Sequence, residues 1–301
     1  MDLSIRGIIP PMVTPFTAEG GIDRDGTRKL IDFLIGAGVH GLFVTGSTGE
    51  FVHLTRDERV DFWRFVVRHV AGRVPVLAGA GSASTAECTD LCGQAEQAGA
   101  DAVVVVAPFY FRLSRQALYA HFSAVAQSTE LPIVLYNIPA LTGNPIDLET
   151  VCDLARAHSN IVAIKDSVWN PDHTTGLLAA KRIREDFVVM TGTDDHLLAL
   201  LLAGADGGVP GLANFAPSVL VGLYDAVQRG DLKAAAAEHR RVIDLMRIHD
   251  IVTPSISAVK AAAGMVGAGI EAVVRSPALP LDDTGRVTLK RILIEAGLLA
   301  G

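Results

Sequence analysis

The sequence predicts an α/β chain folded as a (β/α)8 TIM barrel with extra C-terminal helices, and three observations lead to this prediction. Short apolar segments alternate with amphipathic segments along all 301 residues, as in repeated βα units. There are eight apolar segments, the number that a closed parallel barrel needs, and most are continuously apolar, as strands buried on both faces are. Similar turns, AGVHG, AGADA and AGADG, precede three of the strands, which indicates a reused αβ connection.

The predicted strands are four to seven residues long except the last, which has three. They cover residues 7–13, 41–44, 74–78, 102–106, 133–136, 161–164, 187–190 and 207–209. Helical periodicity, often preceded by Ser, Thr or Asp as an N-cap, predicts the connecting helices. These cover residues 23–36, 55–70, 84–97, 114–128, 147–157, 172–184, 194–203 and 216–229.

Three further helices are predicted after the eighth βα unit, at 231–247, 253–266 and 288–299. No linker separates them from the rest, so the predicted organisation is a barrel over residues 1–229 with a helical extension, 230–301, packed on it. A doubly wound open sheet also alternates strands and helices. That fold usually has a glycine-rich fingerprint after its first strand, whereas this chain has TPFTAEGG.

The composition is that of an ordinary globular protein, half hydrophobic and one fifth charged. A net charge of -7 and the lack of any basic run predict neither nucleic acid nor a membrane as a partner. The N-terminal segment has no leader pattern, which predicts a cytoplasmic protein. Cys88 and Cys92 lie one helical turn apart with no completing ligands, so neither a disulfide framework nor a metal site is expected.

Reactive groups of a barrel lie at the C-terminal ends of its strands, and Lys165 is the distinctive residue there. It follows the apolar segment NIVAI, where burial disfavours the ammonium and favours the amine that attacks a carbonyl. A structural pairing with Asp166 or another carboxylate is the competing interpretation. The other five lysines lie in helical segments, where a solvated ammonium is expected: Lys29, Lys181, Lys233, Lys260 and Lys290.

Two further features near strand ends suit imine chemistry. Tyr136, at the end of the neighbouring fifth strand, is a candidate proton shuttle, although it could equally close a layer of the core. The segment GSTGE at 46–50 is a candidate anion site, because its glycines let backbone N–H groups approach a carboxylate and its hydroxyls can donate. A tight βα turn with a helix cap is the alternative. Glu50 is expected to be a structural hydrogen-bond partner and not a catalytic acid.

Four motifs occur in order: GSTGE at 46–50, YNIPALTG at 136–143, IKD at 164–166 and GADGG at 204–208. With them the chain resembles the dihydrodipicolinate synthase/N-acetylneuraminate lyase family of class I pyruvate aldolases. The resemblance extends from PMVTPF at 11–16 through the C-terminal helices.

The resemblance implies a role for five residues. Lys165 matches the lysine that forms a Schiff base, and Tyr136 the catalytic tyrosine. Ser47 and Thr48 match the hydroxyl pair that binds the keto-acid carboxylate and links to the tyrosine. Tyr110 matches the tyrosine that completes a neighbouring subunit's site, which implies a homodimer or homotetramer. The imine is itself the electron sink, so no cofactor or metal is expected.

The substrate branch is indicated by positions that depart from the synthases. Leu141 stands where synthases carry the arginine that binds the carboxylate of aspartate semialdehyde, and leucine cannot make that ion pair. Three segments resemble the 2-keto-3-deoxygluconate aldolase branch: GIIPP at 7–11, GTDDH at 192–196 and TPSISAVKAA from Thr253. The expected substrate-binding residues are Ser47, Thr48, Gly49, Leu141, Gly192, Asp194, Asp195 and Gly211.

The leading hypothesis is therefore an aldolase that cleaves a 2-keto-3-deoxy sugar acid to pyruvate and a hydroxy-aldehyde. A dihydrodipicolinate synthase lacking the usual arginine and a keto-acid dehydratase use the same imine and stay open. From a different class, a non-catalytic keto-acid-binding protein has no need for a nucleophile beside a proton shuttle.

Overall fold

A computed structural model describes residues 5–301 and contains one curled sheet of eight parallel strands. The strands are β1 Gly7–Ile8, β2 Leu42–Val44, β3 Val76–Gly79, β4 Ala102–Val106, β5 Ile133–Asn137, β6 Ile161–Asp166, β7 Val188–Thr191 and β8 Gly207–Gly208. The order is β1-β8-β7-β6-β5-β4-β3-β2, and a bridge between Pro11 and Phe43 joins the segment after β1 to β2. The fold is TIM-barrel-like, as predicted.

Two strands differ from the predicted bounds in ways that matter for the site. The first ends at Ile8 because Pro10 and Pro11, which follow Ile9, have no N–H to donate to a ladder. The sixth continues two residues beyond the predicted end, to Asp166. Lys165 therefore lies within β6, paired with Tyr136 of β5, and its backbone is held on both sides by the sheet.

The described part of the chain contains twelve α-helices. They are α1 Arg24–Gly36, α2 Arg56–Val70, α3 Thr85–Ala98, α4 Arg115–Ala126, α5 Pro139–Thr142, α6 Leu148–Ala157, α7 Pro171–Leu177, α8 Leu197–Ala203, α9 Pro217–Gln228, α10 Leu232–Met246, α11 Ile256–Met265 and α12 Asp283–Glu295. Several begin after a side-chain cap, as at Asp23, and Thr55 with Glu58 forms a complete capping box.

Three helix predictions need correction, and one short helix was not predicted. The segment 172–184 is divided, because α7 ends at Leu177 and a 3₁₀ helix continues to Arg182. The helix expected from 194 begins at Leu197, since the Asp194 carboxylate binds a different loop instead of capping it. The last helix spans Asp283–Glu295, capped by Asp282, and not 288–299. The short helix α5 was not expected.

The core has two layers. Side chains such as Ile9, Phe43, Val104 and Met190 fill the interior of the curled sheet, and a larger apolar cluster separates the sheet from the helices. Among the C-terminal helices, α10 packs on α9, and α11 packs on α12 and on the 3₁₀ helix after β8. No helix in residues 5–301 has both the length and the apolar character needed to cross a membrane.

Candidate active site

Lys165 projects into the interior of the curled sheet, where it is 4% exposed. Its ammonium nitrogen lies 3.9 Å from the centroid of the Tyr136 ring and 5.2 Å from that of Phe43. Side chains of neighbouring strands at the same register share a face, so the pairing of Lys165 with Tyr136 brings the two together. The expected proximity of Lys165 and Tyr136 is confirmed.

The alternative that Lys165 pairs with Asp166 is wrong. Successive residues of a strand point to opposite faces, so Asp166 faces the helices. Its carboxylate accepts hydrogen bonds from Asn137 Nδ2 at 2.7 Å and Thr174 Oγ1 at 2.6 Å, and lies 3.0 Å from His173 Nδ1. Within residues 5–301 Lys165 forms no ion pair with any carboxylate.

Tyr136 is fully buried and is held by polar neighbours. Burial alone raises the pKa of the phenol, but the charge of Lys165 and hydrogen bonds with Ser47, Lys165 and Ser167 bring that pKa below its ordinary value of 10. The Tyr136 hydroxyl lies 3.5 Å from Ser47 Oγ. Proton transfer by this hydroxyl is therefore easier than in free tyrosine.

The loop after β2, residues 45–50, is held in a tight turn. Thr45 and Glu50, at its two ends, have φ angles of 53° and 58°, the left-handed region that residues other than glycine seldom adopt. A Cβ on Gly49 would lie 2.9 Å from the Met12 carbonyl oxygen, so only glycine fits there. Thr14 Oγ1 donates to the Gly49 carbonyl at 2.7 Å. The loop is therefore pre-formed, with Ser47 beside Tyr136.

A cavity of about 600 Å³ opens over Lys165, and eight of the predicted site residues line it. These are Ser47, Thr48, Tyr136, Leu141, Lys165, Gly192, Asp194 and Gly211. Sequence reasoning missed further polar and aromatic lining residues, namely Ser167, Trp169, Thr193, His249, Thr253 and Ser255. Alternation along the extended β6 could have indicated Ser167. His249, Thr253 and Ser255 reach the cavity only through the path of the C-terminal segment, although Thr253 and Ser255 belong to the TPSIS stretch that resembles the aldolase branch.

Three predicted site residues do not line this cavity in the single chain. Gly49 packs against the backbone of the first segment. Tyr110 is 88% exposed on the loop after β4, with a left-handed φ of 84°. Asp195 does not border the cavity, and its carboxylate lies 3.8 Å from His196 Nε2. Their predicted roles stay predictions.

The loops after β7 and β8 are tied together by Asp194. Its carboxylate accepts hydrogen bonds from the backbone N–H of Leu212 at 2.8 Å and of Gly211 at 3.1 Å, and burial raises its pKa to about 6. Beside it, a Cβ on Gly192 would lie 2.9 Å from Lys165 Cε. The glycine thus leaves the space through which the lysine side chain runs.

The expectation that Lys260 carries a solvated ammonium is wrong. Its side chain is fully buried, forms an ion pair with Glu50, and donates a hydrogen bond to the Val273 carbonyl at 2.7 Å. Helical periodicity predicts that a residue lies on a helix, but it does not show which helices are buried by other segments of the chain. The interpretation of Glu50 as a structural partner is confirmed.

The dihydrodipicolinate synthetase family model matches residues 4–296 of this sequence. The chain belongs to this family. The family resemblance inferred from the four motifs is thereby confirmed, and it extends over nearly the whole chain.

Two Escherichia coli members of the dihydrodipicolinate synthetase family are similar in sequence. YagE, provisionally named a 2-dehydro-3-deoxy-D-gluconate aldolase, is 42% identical over 288 residues, 95% of each chain. YjhH, provisionally named a 2-dehydro-3-deoxy-D-pentonate aldolase, is 38% identical over 294 residues, 97% of this chain and 98% of its own. A 4-hydroxy-tetrahydrodipicolinate synthase of Methanopyrus kandleri is 37% identical over 300 residues, 99% of each chain.

Solved structures of the family share the fold. The crystal structure of YagE in complex with pyruvate superposes with a TM-score of 0.96 at 41% identity, covering 98% of this chain and 99% of that one. A dihydrodipicolinate synthase from Thermotoga maritima gives a TM-score of 0.93 at 34% identity, covering 98% and 99%.

Proposed function

We propose that this protein is a class I aldolase that cleaves a 2-keto-3-deoxy sugar acid to pyruvate and a hydroxy-aldehyde. One observation carries the proposal. Lys165 is buried, has no carboxylate partner in the part of the chain that the structure describes, and has its nitrogen 3.9 Å from the centroid of the Tyr136 ring. A lysine used only for structure would be expected to have a counter-ion.

In the proposed first step the Lys165 amine adds to the C2 carbonyl and water leaves, which gives a protonated imine. The Tyr136 hydroxyl supplies and accepts the protons of this step. Ser47 and Thr48 hold the substrate carboxylate in the loop after β2, beside the Tyr136 hydroxyl.

In the second step the C4 hydroxyl gives its proton to Tyr136 and the C3–C4 bond breaks. The electron pair of that bond moves into the imine, which becomes an enamine, and the aldehyde leaves. Protonation at C3 and hydrolysis of the imine then release pyruvate and regenerate the amine. The imine accepts the electrons, so the reaction requires no cofactor.

The substrate class rests on the cavity and on the relatives. Leu141 borders the cavity and offers no charge to a second carboxylate, while Thr193, Ser255 and His249 offer hydrogen bonds that suit a polyhydroxy chain. Asp194, Asp195, Gly192 and Gly211 are proposed to shape the region around that chain. The names of YagE and YjhH point to the same substrate class, since 2-dehydro and 2-keto denote the same carbonyl.

We further propose that the protein is a homodimer or homotetramer in which Tyr110 completes the neighbouring site. The exposed ring and the left-handed φ of Tyr110 support a role outside its own chain. The closed (β/α)8 barrel over residues 1–229, its extension over 230–301 and the cytoplasmic location are retained as predictions.

Pyruvate and borohydride test the nucleophile. Reduction of the imine should add the mass of the reduced pyruvyl group to the peptide that contains Lys165, and an unlabelled peptide would contradict the proposal. Pyruvate release from 2-keto-3-deoxygluconate tests the reaction. Efficient cyclisation of pyruvate with aspartate semialdehyde, without cleavage of the sugar acid, would instead support a synthase activity, the activity for which the Methanopyrus kandleri relative is named.

A further inference from the structure

We propose that Lys260 is a positioning residue for the keto-acid carboxylate, acting through Glu50 on the loop that carries Ser47 and Thr48. The inference rests on the proposed function, because it assumes that this loop binds the substrate carboxylate. It assigns to α11, on the C-terminal side of the chain, a part in substrate binding that involves no contact with the substrate.

Glu50 ends the turn that presents the two hydroxyl residues. Its N–H donates to the Ser47 carbonyl at 3.0 Å, and its φ of 58° is unfavourable for a residue other than glycine unless its surroundings stabilise it. Contacts of the Glu50 carboxylate stabilise this backbone conformation. One oxygen accepts a hydrogen bond from the Arg275 backbone N–H at 3.0 Å and lies 3.1 Å from His53 Nδ1, and the other pairs with the Lys260 ammonium.

Lys260 is itself fixed in place. Its ammonium donates to the Val273 carbonyl at 2.7 Å and lies 4.0 Å from the centroid of the Phe16 ring. Both side chains of the pair are inaccessible to water, so neither charge can be satisfied by solvent if the other is removed. The position of Glu50, and with it the strained end of the turn, therefore depends on an ammonium from α11.

The start of the same helix also borders the cavity. The helix begins at Ile256, and Ile256 lines the cavity that contains Lys165, together with Thr253 and Ser255 just before the helix. Lys260 lies one turn further along α11. The start of the helix therefore contributes to the cavity lining, and Lys260 contributes an anchor for the loop that carries Ser47 and Thr48.

The decisive variant is E50Q/K260M, which removes both buried charges at once and so avoids an unpaired carboxylate. We expect it to fold, with the borohydride-trapped fraction at saturating pyruvate equal to that of the parent. The pyruvate concentration for half-maximal trapping should rise about tenfold, as for the loss of a charged hydrogen bond. The single variant K260M should show at least the same rise. Lys290→Met, an exposed lysine on α12, is the matched control and should behave as the parent.

The outcomes separate a positioning role from a structural one. A folded E50Q/K260M with the parent's half-maximal pyruvate concentration would overturn the inference, because the pair then acts on stability alone. Failure of E50Q/K260M to fold would also overturn it. If the parent and K290M trap no pyruvate, the proposed function fails, whereas normal trapping by the parent together with an unaffected double variant removes only this inference.

Discussion

Lys165 and Lys260 are both buried, 4% and 0% exposed, but of the two only Lys260 pairs with a carboxylate among the described residues 5–301. The environment of Lys260 contains Glu50, a backbone carbonyl and an aromatic face, which together satisfy an ammonium. The environment of Lys165 contains Tyr136, Phe43 and an open cavity. The ammonium of Lys260 is held in an ion pair, whereas the nitrogen of Lys165 has no such partner and lies beside a cavity that a substrate can enter. Burial alone therefore does not identify a nucleophile.

Carboxyl groups near the two lysines also differ, in the direction in which their pKa is shifted. Burial of Asp194 in the Lys165 cavity raises its pKa to about 6. Near Lys260, hydrogen bonds from the Arg275 guanidinium lower the pKa of Glu58 to about 2. Near neutral pH the Asp194 carboxyl can therefore change protonation, whereas Glu58 stays charged. Burial lowers the pKa of Lys260 to about 8 despite the opposing charge of Glu50.

The largest expected effect is that of Lys165→Met, which should abolish both imine trapping and aldolase activity. The protein should be no less stable than the parent, because a buried ammonium without a counter-ion is replaced by a side chain of similar length. Borohydride trapping and urea unfolding measure the two quantities. A large loss of stability would show that Lys165 is a structural lysine and would break the comparison.

Tyr136→Phe should lower kcat by roughly 100-fold to 10,000-fold, because the proton shuttle is removed while the ring that packs beside Lys165 remains. Steady-state cleavage of the sugar acid measures this. Tyr119→Phe, on the distant helix α4, is the control and should retain the parent's kcat. An undiminished kcat in the Tyr136 variant would assign the shuttle to another group.

Lys260→Met should cost about 3 to 5 kcal/mol of unfolding free energy, since it leaves Glu50 buried without its ammonium. Urea unfolding checks this, with Lys290→Met as the exposed control. The contrast with Lys165→Met sharpens the comparison: loss of Lys165 should abolish activity without loss of stability, whereas loss of Lys260 should lower stability and weaken pyruvate binding. Equal stability of the two variants would contradict it.

The smallest expected effect is a difference in pH dependence. The folded protein binds the Asp194 proton more tightly than the unfolded chain does, because its pKa is raised from 3.8 to about 6. The protonated carboxyl therefore contributes at most about 2 to 3 kcal/mol to the free energy of unfolding. This contribution is present below pH 3.8 and is lost as the pH rises through about 6. The contribution of Glu58 has the opposite sign. It is present above the ordinary pKa of 4.5 and lost as pH falls toward about 2.

The free energy of unfolding, measured from about pH 2 to pH 7, tests the opposite pH dependences expected for Asp194 and Glu58. Asp194→Asn should remove the loss of stability between about pH 4 and pH 7, and Glu58→Gln should reduce the loss below about pH 4. Parallel pH profiles for the parent and both variants would show that neither carboxyl titrates differently on folding.

The sequence by itself determined the repeated βα pattern, most helix starts and the pair Lys165 and Tyr136. Each of these depends on neighbours a few residues away: apolar periodicity, an N-cap such as Asp23, or a polar residue at a strand end. The last helix begins at Asp283, five residues before the predicted start at 288, so such signals locate a helix better than they locate its first residue.

Only the tertiary structure decided which lysine is free and which is paired. Arg275 and Glu50 are 225 residues apart, and their hydrogen bond beside Lys260 depends on the path of the C-terminal segment across the loop after β2. His249 and Ser255 reach the cavity for the same reason. Local patterns report the conformation of a segment, whereas the partners of a buried charge come from segments that are distant in sequence.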